Sequence, residues 1–363
     1  MAQGEYSFLP LERVIYGAGS LGRLAGEADR LGGRKAMILT GHSLATQTPL
    51  VKKVESQLGE RHAGTFAGIR QHVPESGIAE AAALARQLGA DLLVSLGGGS
   101  PIDAAKAVAR TLAADTGTYL PHIALPTTLS AAEFSGTAGF TDEARQAKTG
   151  FSDPWTTPRV VIMDPELTLA TPMWLWLASG IRSLDHAVET LYSPGDHPVN
   201  DLLALEAIRK LFAYLPRCKA DPSSLEAREQ CQRGAWMSFF GPGSVHMGLS
   251  HNLGRRIGAS FNVPHGVTSC ITLPHVMRYK AATEARRLAP IAHALQLVPA
   301  DTPDYEAALV AADAVAGLVG ALGLPARLSE VNVPADALDD IARSVVGDTP
   351  EAVAVAELLR RAY

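Results

Sequence analysis

One junction constrains this chain more than any other. Asp91-Leu92-Leu93-Val94-Ser95-Leu96 has the unbroken apolar run of a strand buried on both faces. It passes without a spacer into Gly97-Gly98-Gly99-Ser100-Pro101, and the helical period of residues 103–112 follows. A strand covered on both sides needs helices above and below, so the junction calls for a layered α/β sheet. Glycines there also let the backbone approach a ligand closely, and the exposed N–H groups at a helix start favour a phosphate. A tight turn alone does not need three consecutive glycines. The spacing matches neither G-x-G-x-x-G nor a P-loop.

The flanks repeat the alternation. Ala36-Met37-Ile38-Leu39 stops at Thr40-Gly41, and a helical stretch containing residues 50–58 comes next. Residues 78–88 form an Ala-rich helix closed by Gly89, and His122-Ile123-Ala124-Leu125-Pro126 is a further strand. This βαβα order predicts a Rossmann-like parallel sheet. Near Asp164-Pro165 the pattern changes and strand signals nearly vanish; helices are expected over 202–215, 225–240, 281–297, 305–322 and 335–346. At 363 residues the chain exceeds one compact core, so two domains are expected: a nucleotide-binding α/β domain, 1–164, and an all-helical domain, 165–363.

Composition narrows the function classes. A net charge of −5 excludes a basic nucleic-acid footprint. Cys218, Cys231 and Cys270 fall in no metal-type spacing and cannot all pair, which fits a reducing compartment. The first ten residues lack the basic and apolar regions of a signal peptide. The most apolar segment, 307–326, contains Asp313 and three glycines, and predicts a packed helix and no membrane span. A cytoplasmic protein acting on a small molecule is expected.

Four of the eleven histidines, His246, His251, His265 and His275, fall within residues 246–275. Upstream, Ser179-Gly180-Ile181-Arg182-Ser183-Leu184-Asp185-His186-Ala187-Val188-Glu189 puts Arg182 and His186 one helical turn apart on one face. Imidazoles from two helices and the Pro264-His265-Gly266 turn can assemble a His₃ metal site, or they are polar helix-packing residues. Spacing leaves both open.

Together these pieces resemble the iron-containing alcohol dehydrogenase family, whose fold is dehydroquinate synthase-like. The resemblance runs through Val14-Ile15-Tyr16-Gly17-Ala18-Gly19, Gly97-Gly98-Gly99-Ser100 with Asp103 and Lys106, Pro126-Thr127-Thr128, Asp164-Pro165, Ser179-Gly180, His186-Ala187-Val188-Glu189 and Pro264-His265-Gly266. The short stretch Leu129-Ser130-Ala131-Ala132-Glu133-Phe134-Ser135 is similar to the maleylacetate reductase subgroup, which reduces a carbon–carbon double bond in aromatic-compound breakdown. The resemblance implies an NAD(P)-dependent oxidoreductase, commonly dimeric, with Gly97, Gly98, Gly99 and Ser100 on the pyrophosphate. It places Asp103, Thr127, Thr128 and Lys148 beside the nicotinamide ribose. Gly41, in Thr40-Gly41-His42-Ser43, stands where a carboxylate would repel a 2′-phosphate, so NADPH is permitted and NADH is not excluded.

Two departures set this chain apart. The family's metal set maps to His186, His251 and His265, but Arg182 stands where metal-dependent members have an aspartate ligand. A guanidinium beside a divalent ion is costly in a low-dielectric cleft, so bound iron or zinc is not the expectation. Arg255 stands where a histidine usually lies near the nicotinamide. The expected mechanism is metal-free. Arg182 would bind a substrate carboxylate or stabilise an enolate, or else form a salt bridge with Asp185, Glu189 or another helix. Arg255 would hold a second carboxylate, and His251 or His265 would donate a proton. A metal-dependent alcohol or aldehyde dehydrogenase and a catalytically silent nucleotide-binding protein are the alternatives.

Overall fold

The computed structural model describes residues 5–144, 147–242 and 244–363. The chain forms two compact units, Ser7–Pro172 and Met173–Tyr363, with Glu5 and Tyr6 grouped with the second. The division lies eight residues past the 164/165 position that the pattern change indicates. The cause is Asp164, whose carboxylate accepts the N–H groups of Gly19 (3.2 Å) and Leu21 (2.9 Å). Thr171 Oγ1 likewise donates to Thr127 O at 2.7 Å, so the chain up to residue 171 stays tied to the first unit.

The α/β unit contains strands β1 (Arg13–Tyr16), β2 (Ala36–Gly41), β3 (His62–Ile69), β4 (Leu92–Gly97), β5 (His122–Pro126), β6 (Thr137–Asp142), β7 (Ala147–Ser152) and β8 (Val160–Met163). Its helices are α1 (Leu24–Arg30), α2 (His42–Gln47), α3 (Leu50–Leu58), α4 (Glu75–Leu88) and α5 (Gly99–Thr116). Six strands form one parallel sheet in the order β1-β8-β5-β4-β2-β3, and β6 and β7 form a separate antiparallel hairpin. The period of two distributes the apolar residues as a doubly covered sheet requires. Ala36, Ile38, Leu92, Val94 and Leu96 pack with α1 and α3 on one face, whereas Met37, Leu39 and Leu93 pack with α4 and α5 on the other.

His122 is the polar exception in this core. Its Nε2 shares a 2.8 Å hydrogen bond with Ser95 Oγ across β4 and β5, and burial holds its pKa at about 3. The unfolded chain takes up a proton near pH ~6.5 that the native state refuses, so this contribution to stability is lost as pH falls from about 6.5 towards 3. The slope from this group reaches about 1.4 kcal/mol per pH unit. His122→Asn should therefore flatten the acid limb of urea-denaturation stability between pH 7 and 5. An unaltered slope would contradict this account.

The second unit contains α6 (Met173–Leu191), α7 (Pro198–Ala220), α8 (Leu225–Ser238), α9 (Leu249–Phe261), α10 (His265–Ala294), α11 (Asp304–Leu322), α12 (Leu338–Val346) and α13 (Pro350–Arg361), with no strand among its described residues. The apolar helix α11 is long and apolar enough to cross a membrane by length and composition. Here it packs along α10 and buries Ala307, Ala308, Ala311, Ala312, Val315, Leu318, Val319 and Leu322, one face at helical spacing.

Candidate active site

In the α/β unit, β2 leads to α3 on one face of the sheet and β4 leads to α5 on the other, so their carboxyl ends diverge. Open parallel sheets bind ligands at such a switch point. Helix α5 begins at Gly99, four residues before the helical period is evident, and Pro101 takes its first turn, where a missing N–H costs nothing. Its N-cap, Gly98, supplies no side-chain cap, and no acidic residue lies in the first turn. A Cβ on Gly98 would lie 3.0 Å from Thr128 Cγ2 and 3.1 Å from Thr128 Oγ1. Thr127 N–H in turn donates to Gly97 O at 2.9 Å, so Gly97-Gly98-Gly99 and Thr127-Thr128 line one small cradle. Uncapped N–H groups at a helix start beside two hydroxyl side chains suit a pyrophosphate. Gly41 closes β2, and no carboxylate occupies residues 41–43.

Asp103 and Lys148, expected beside the ribose, are close enough to interact electrostatically. Both oxygens of Asp103 already serve the protein. Oδ1 accepts from Lys106 Nζ at 3.3 Å, and Oδ2 accepts the Gly139 N–H at 3.2 Å.

In the helical unit, α6 carries Arg182, Asp185, His186 and Glu189 along one face, all buried. Gly266 brings α10 onto that helix. A Cβ there would sit 2.6 Å from the carbonyl carbon and oxygen of Ala178, so only glycine allows the first turn of α10, which starts at His265, to lie against α6. Pro264-His265-Gly266 is thus a helix start where the sequence pattern indicates a turn. Arg182 Nη1 donates to Asp185 Oδ2 (3.2 Å) and Ser269 Oγ (3.0 Å), while Nη2 lies 2.5 and 2.8 Å from the two ring nitrogens of His251. The salt bridge to Asp185, one of the two roles weighed for Arg182, is present. His186 stacks on Phe239 with ring centroids 4.5 Å apart and lies 5.7 Å from the His251 ring. His265 and Arg255 are near enough to His251 to act on its charge.

Electrostatics follow from burial. His251 is driven well below its ordinary pKa by desolvation and then by Arg182, and His186 by desolvation and Arg182. Neither titrates near neutrality, contrary to what an ordinary imidazole would do at these positions. Burial and the neighbouring Asp185 push Glu189 up to about 8. Trp176 is fully buried, Trp174 is largely exposed, and Phe239 lies against the cluster.

A divalent ion does not fit this arrangement. Arg182 fills the space facing both ring nitrogens of His251 with a cation, and the described residues include no group of three or more His, Cys, Asp or Glu arranged to hold a metal. Asp185 spends Oδ2 on Arg182, Ser250 and Ser269, while its buried Oδ1 meets no donor among the described residues.

A parallel-sheet unit with a glycine cradle, followed by a helical unit bearing a histidine cluster, defines the dehydroquinate synthase-like fold. Residues 11–165 match the iron-containing alcohol dehydrogenase model, and residues 176–358 match the C-terminal model of the Fe-containing alcohol dehydrogenase family. The chain belongs to the iron-containing alcohol dehydrogenase family, a family of oxidoreductases. It is 35% identical to a maleylacetate reductase of Burkholderia cepacia over 91% of this chain and 87% of that one. A maleylacetate reductase of Pseudomonas sp. (strain P51) is 34% identical over 97% of this chain and 95% of its own length. The crystal structure of maleylacetate reductase from Agrobacterium tumefaciens superposes with a TM-score of 0.87 at 31% identity, covering 100% of this chain and 99% of that chain.

Proposed function

We propose that this protein is an NAD(P)H-dependent reductase of maleylacetate, or of a closely similar unsaturated oxo acid from aromatic-compound breakdown, and that it works without a metal ion. The observation that carries the metal-free part is the Arg182 guanidinium, seated against His251 and Asp185 in the helical unit. Its relatives among maleylacetate reductases support the substrate. The cofactor supplies a hydride. Gly97, Gly98, Gly99 and Ser100 would hold its pyrophosphate, and Asp103, Thr127, Thr128 and Lys148 would border its nicotinamide ribose. With no carboxylate at Gly41-His42-Ser43, the 2′-phosphate of NADPH is tolerated.

Hydride addition to the alkene carbon moves an electron pair onto the ketone oxygen as an enolate, and one proton at the neighbouring carbon completes the reduction. Arg182 is the fixed positive charge that stabilises this enolate, in a buried setting where such a charge counts for more than in water. Arg255 holds a substrate carboxylate. His251, held neutral and accepting from Arg182, orients the guanidinium, which leaves His265 to deliver the proton. The surroundings proposed are cytoplasmic and the assembly a homodimer.

Turnover of maleylacetate by the purified protein, followed as loss of NADPH or NADH absorbance, should survive exhaustive chelation undiminished. Activity that returns only with added iron or zinc would reject the metal-free mechanism. Failure to oxidise either cofactor with maleylacetate would reject the substrate. Because no carboxylate follows β2, NADPH is expected to support turnover, and the KM values of NADPH and NADH measure which is preferred.

A further inference from the structure

Helix α9 has a structural problem at its first turn. Its leading N–H groups need acceptors, yet its N-cap is Gly248, which has no side chain to offer one. The acceptor comes from another helix. Glu189, fully buried on α6, accepts the Gly248 N–H through Oε2 at 2.7 Å and the His251 N–H through Oε1 at 3.2 Å. Tyr192 Oη, from the residue that follows the end of α6, donates to the same Oε1 at 3.1 Å. The fit leaves no slack: a Cβ on Gly248 would lie 2.7 Å from Tyr192 Oη and 2.9 Å from Glu189 Oε1. One turn back on α6, Asp185 Oδ2 accepts from Ser250 Oγ at 3.0 Å, a second tie to the same first turn of α9.

We propose that Glu189 is a positioning residue that caps α9 from α6 and thereby holds the His251 ring against the Arg182 guanidinium. His251 is the third residue of α9, so its backbone N–H is one of the groups Glu189 grips while its ring faces Arg182. Losing this cap would loosen the turn and shift the ring relative to the guanidinium without altering either side chain. Asp185 holds the other end of the pair by accepting directly from Arg182 Nη1. Two acidic side chains on one helix face thus fix the two halves of a single contact.

The test rests on the reductase reading only where it uses turnover, and a second measurement is independent of it. Glu189→Gln replaces one accepting oxygen by an NH₂ group that faces an N–H it cannot satisfy. This variant should lower kcat about tenfold and leave the KM for NADPH within about twofold, because misplacement by a fraction of an ångström is enough to slow chemistry. In a His251→Ala background the same change should cost less than about twofold, since the residue through which it acts is gone. Independently of turnover, the imidazole ¹⁵N resonances of His251, assigned with His251→Ala in histidine-labelled protein, should shift in Glu189→Gln while those of the exposed His197 stay in place. Full additivity in the double variant, or unmoved His251 resonances, would overturn the proposal. If the wild-type protein shows no turnover at all, the reductase reading fails, and the resonances alone decide the role of Glu189.

Discussion

Arg182→Met should lower kcat/KM for maleylacetate by about two to three orders of magnitude, the usual cost of removing one preorganised group from a developing oxyanion. The affinity for NADPH should change little, because the cradle of Gly97-Gly98-Gly99 and Thr127-Thr128 belongs to the other unit. A second effect must be separated from the first. Taking away the guanidinium leaves Asp185 buried with its main cationic partner gone, which costs stability on the order of 3–5 kcal/mol. Arg182→Lys distinguishes the two. It keeps a positive charge for Asp185 and so recovers stability, but a single ammonium cannot address Asp185, Ser269 and His251 from a planar fork. Its kcat/KM should stay depressed by at least about tenfold. Per folded molecule, an Arg182→Met variant as active as the wild type would show that the guanidinium is only structural. Arg182→Asp supplies the complementary measurement. It removes the cation facing His251 and adds a carboxylate one turn from His186, so the variant should bind zinc stoichiometrically by elemental analysis whereas the wild type should not. Zinc in the wild type, or none in the variant, would break the link drawn between Arg182 and metal exclusion.

The parts of this molecule that were legible in the sequence are those whose cause is local. The run Leu92-Leu93-Val94 and its glycine exit carry their own reason for being a buried strand feeding a helix, and β4 and α5 are where that pattern places them. β3 was not visible. His62-Ala63-Gly64-Thr65-Phe66-Ala67-Gly68-Ile69 holds two glycines and little alternation, and it is an edge strand, only half-buried, paired on one side. Helix α10 starts at His265, sixteen residues before the expected helix at 281, and continues through Pro274 to a backbone break at Glu284. The charged cluster was half legible. Positions 182, 185, 186 and 189 share a face by spacing alone, and Arg182 stood out against its family. What spacing withholds is which partners reach that face. Ser250, Ser269 and the N–H of Gly248 arrive from helices about sixty to eighty-five residues onward, where only packing brings them to Asp185 and Glu189. Glu189 shares a motif with His186, yet nothing in the motif says that it caps another helix.

Lys106→Met should destabilise the α/β unit by about 3 kcal/mol and raise the KM for the cofactor severalfold. Lys106 is fully buried, and its ammonium spends its donors on Asp103 Oδ1 (3.3 Å), Ala132 O (2.7 Å) and Thr137 O (2.7 Å). Desolvation pulls its pKa down, and Asp103 and Glu133 are the charges that hold the proton in place. Glu133, buried beside it, is itself pushed up to about 7 by desolvation. Methionine fills the stem's volume but leaves two carbonyls and a carboxylate without their donor; charge-assisted hydrogen bonds are worth about 1.5–3 kcal/mol each, and water regains part of the loss. The functional consequence follows from what these acceptors hold. Ala132 follows the Thr127-Thr128 stretch, Thr137 opens β6, and Gly139 in the same strand is tied to the other oxygen of Asp103. β6 pairs with β7, where Lys148 stands opposite Thr141. Losing the ammonium therefore loosens at once the loop beside the glycine cradle and the hairpin that carries Lys148. Thermal unfolding and cofactor titration of Lys106→Met, compared with Lys106→Arg, measure both effects. A variant with wild-type stability and a raised KM would show that Lys106 contacts the cofactor itself, and one with lost stability but an unchanged KM would show that the hairpin takes no part in binding.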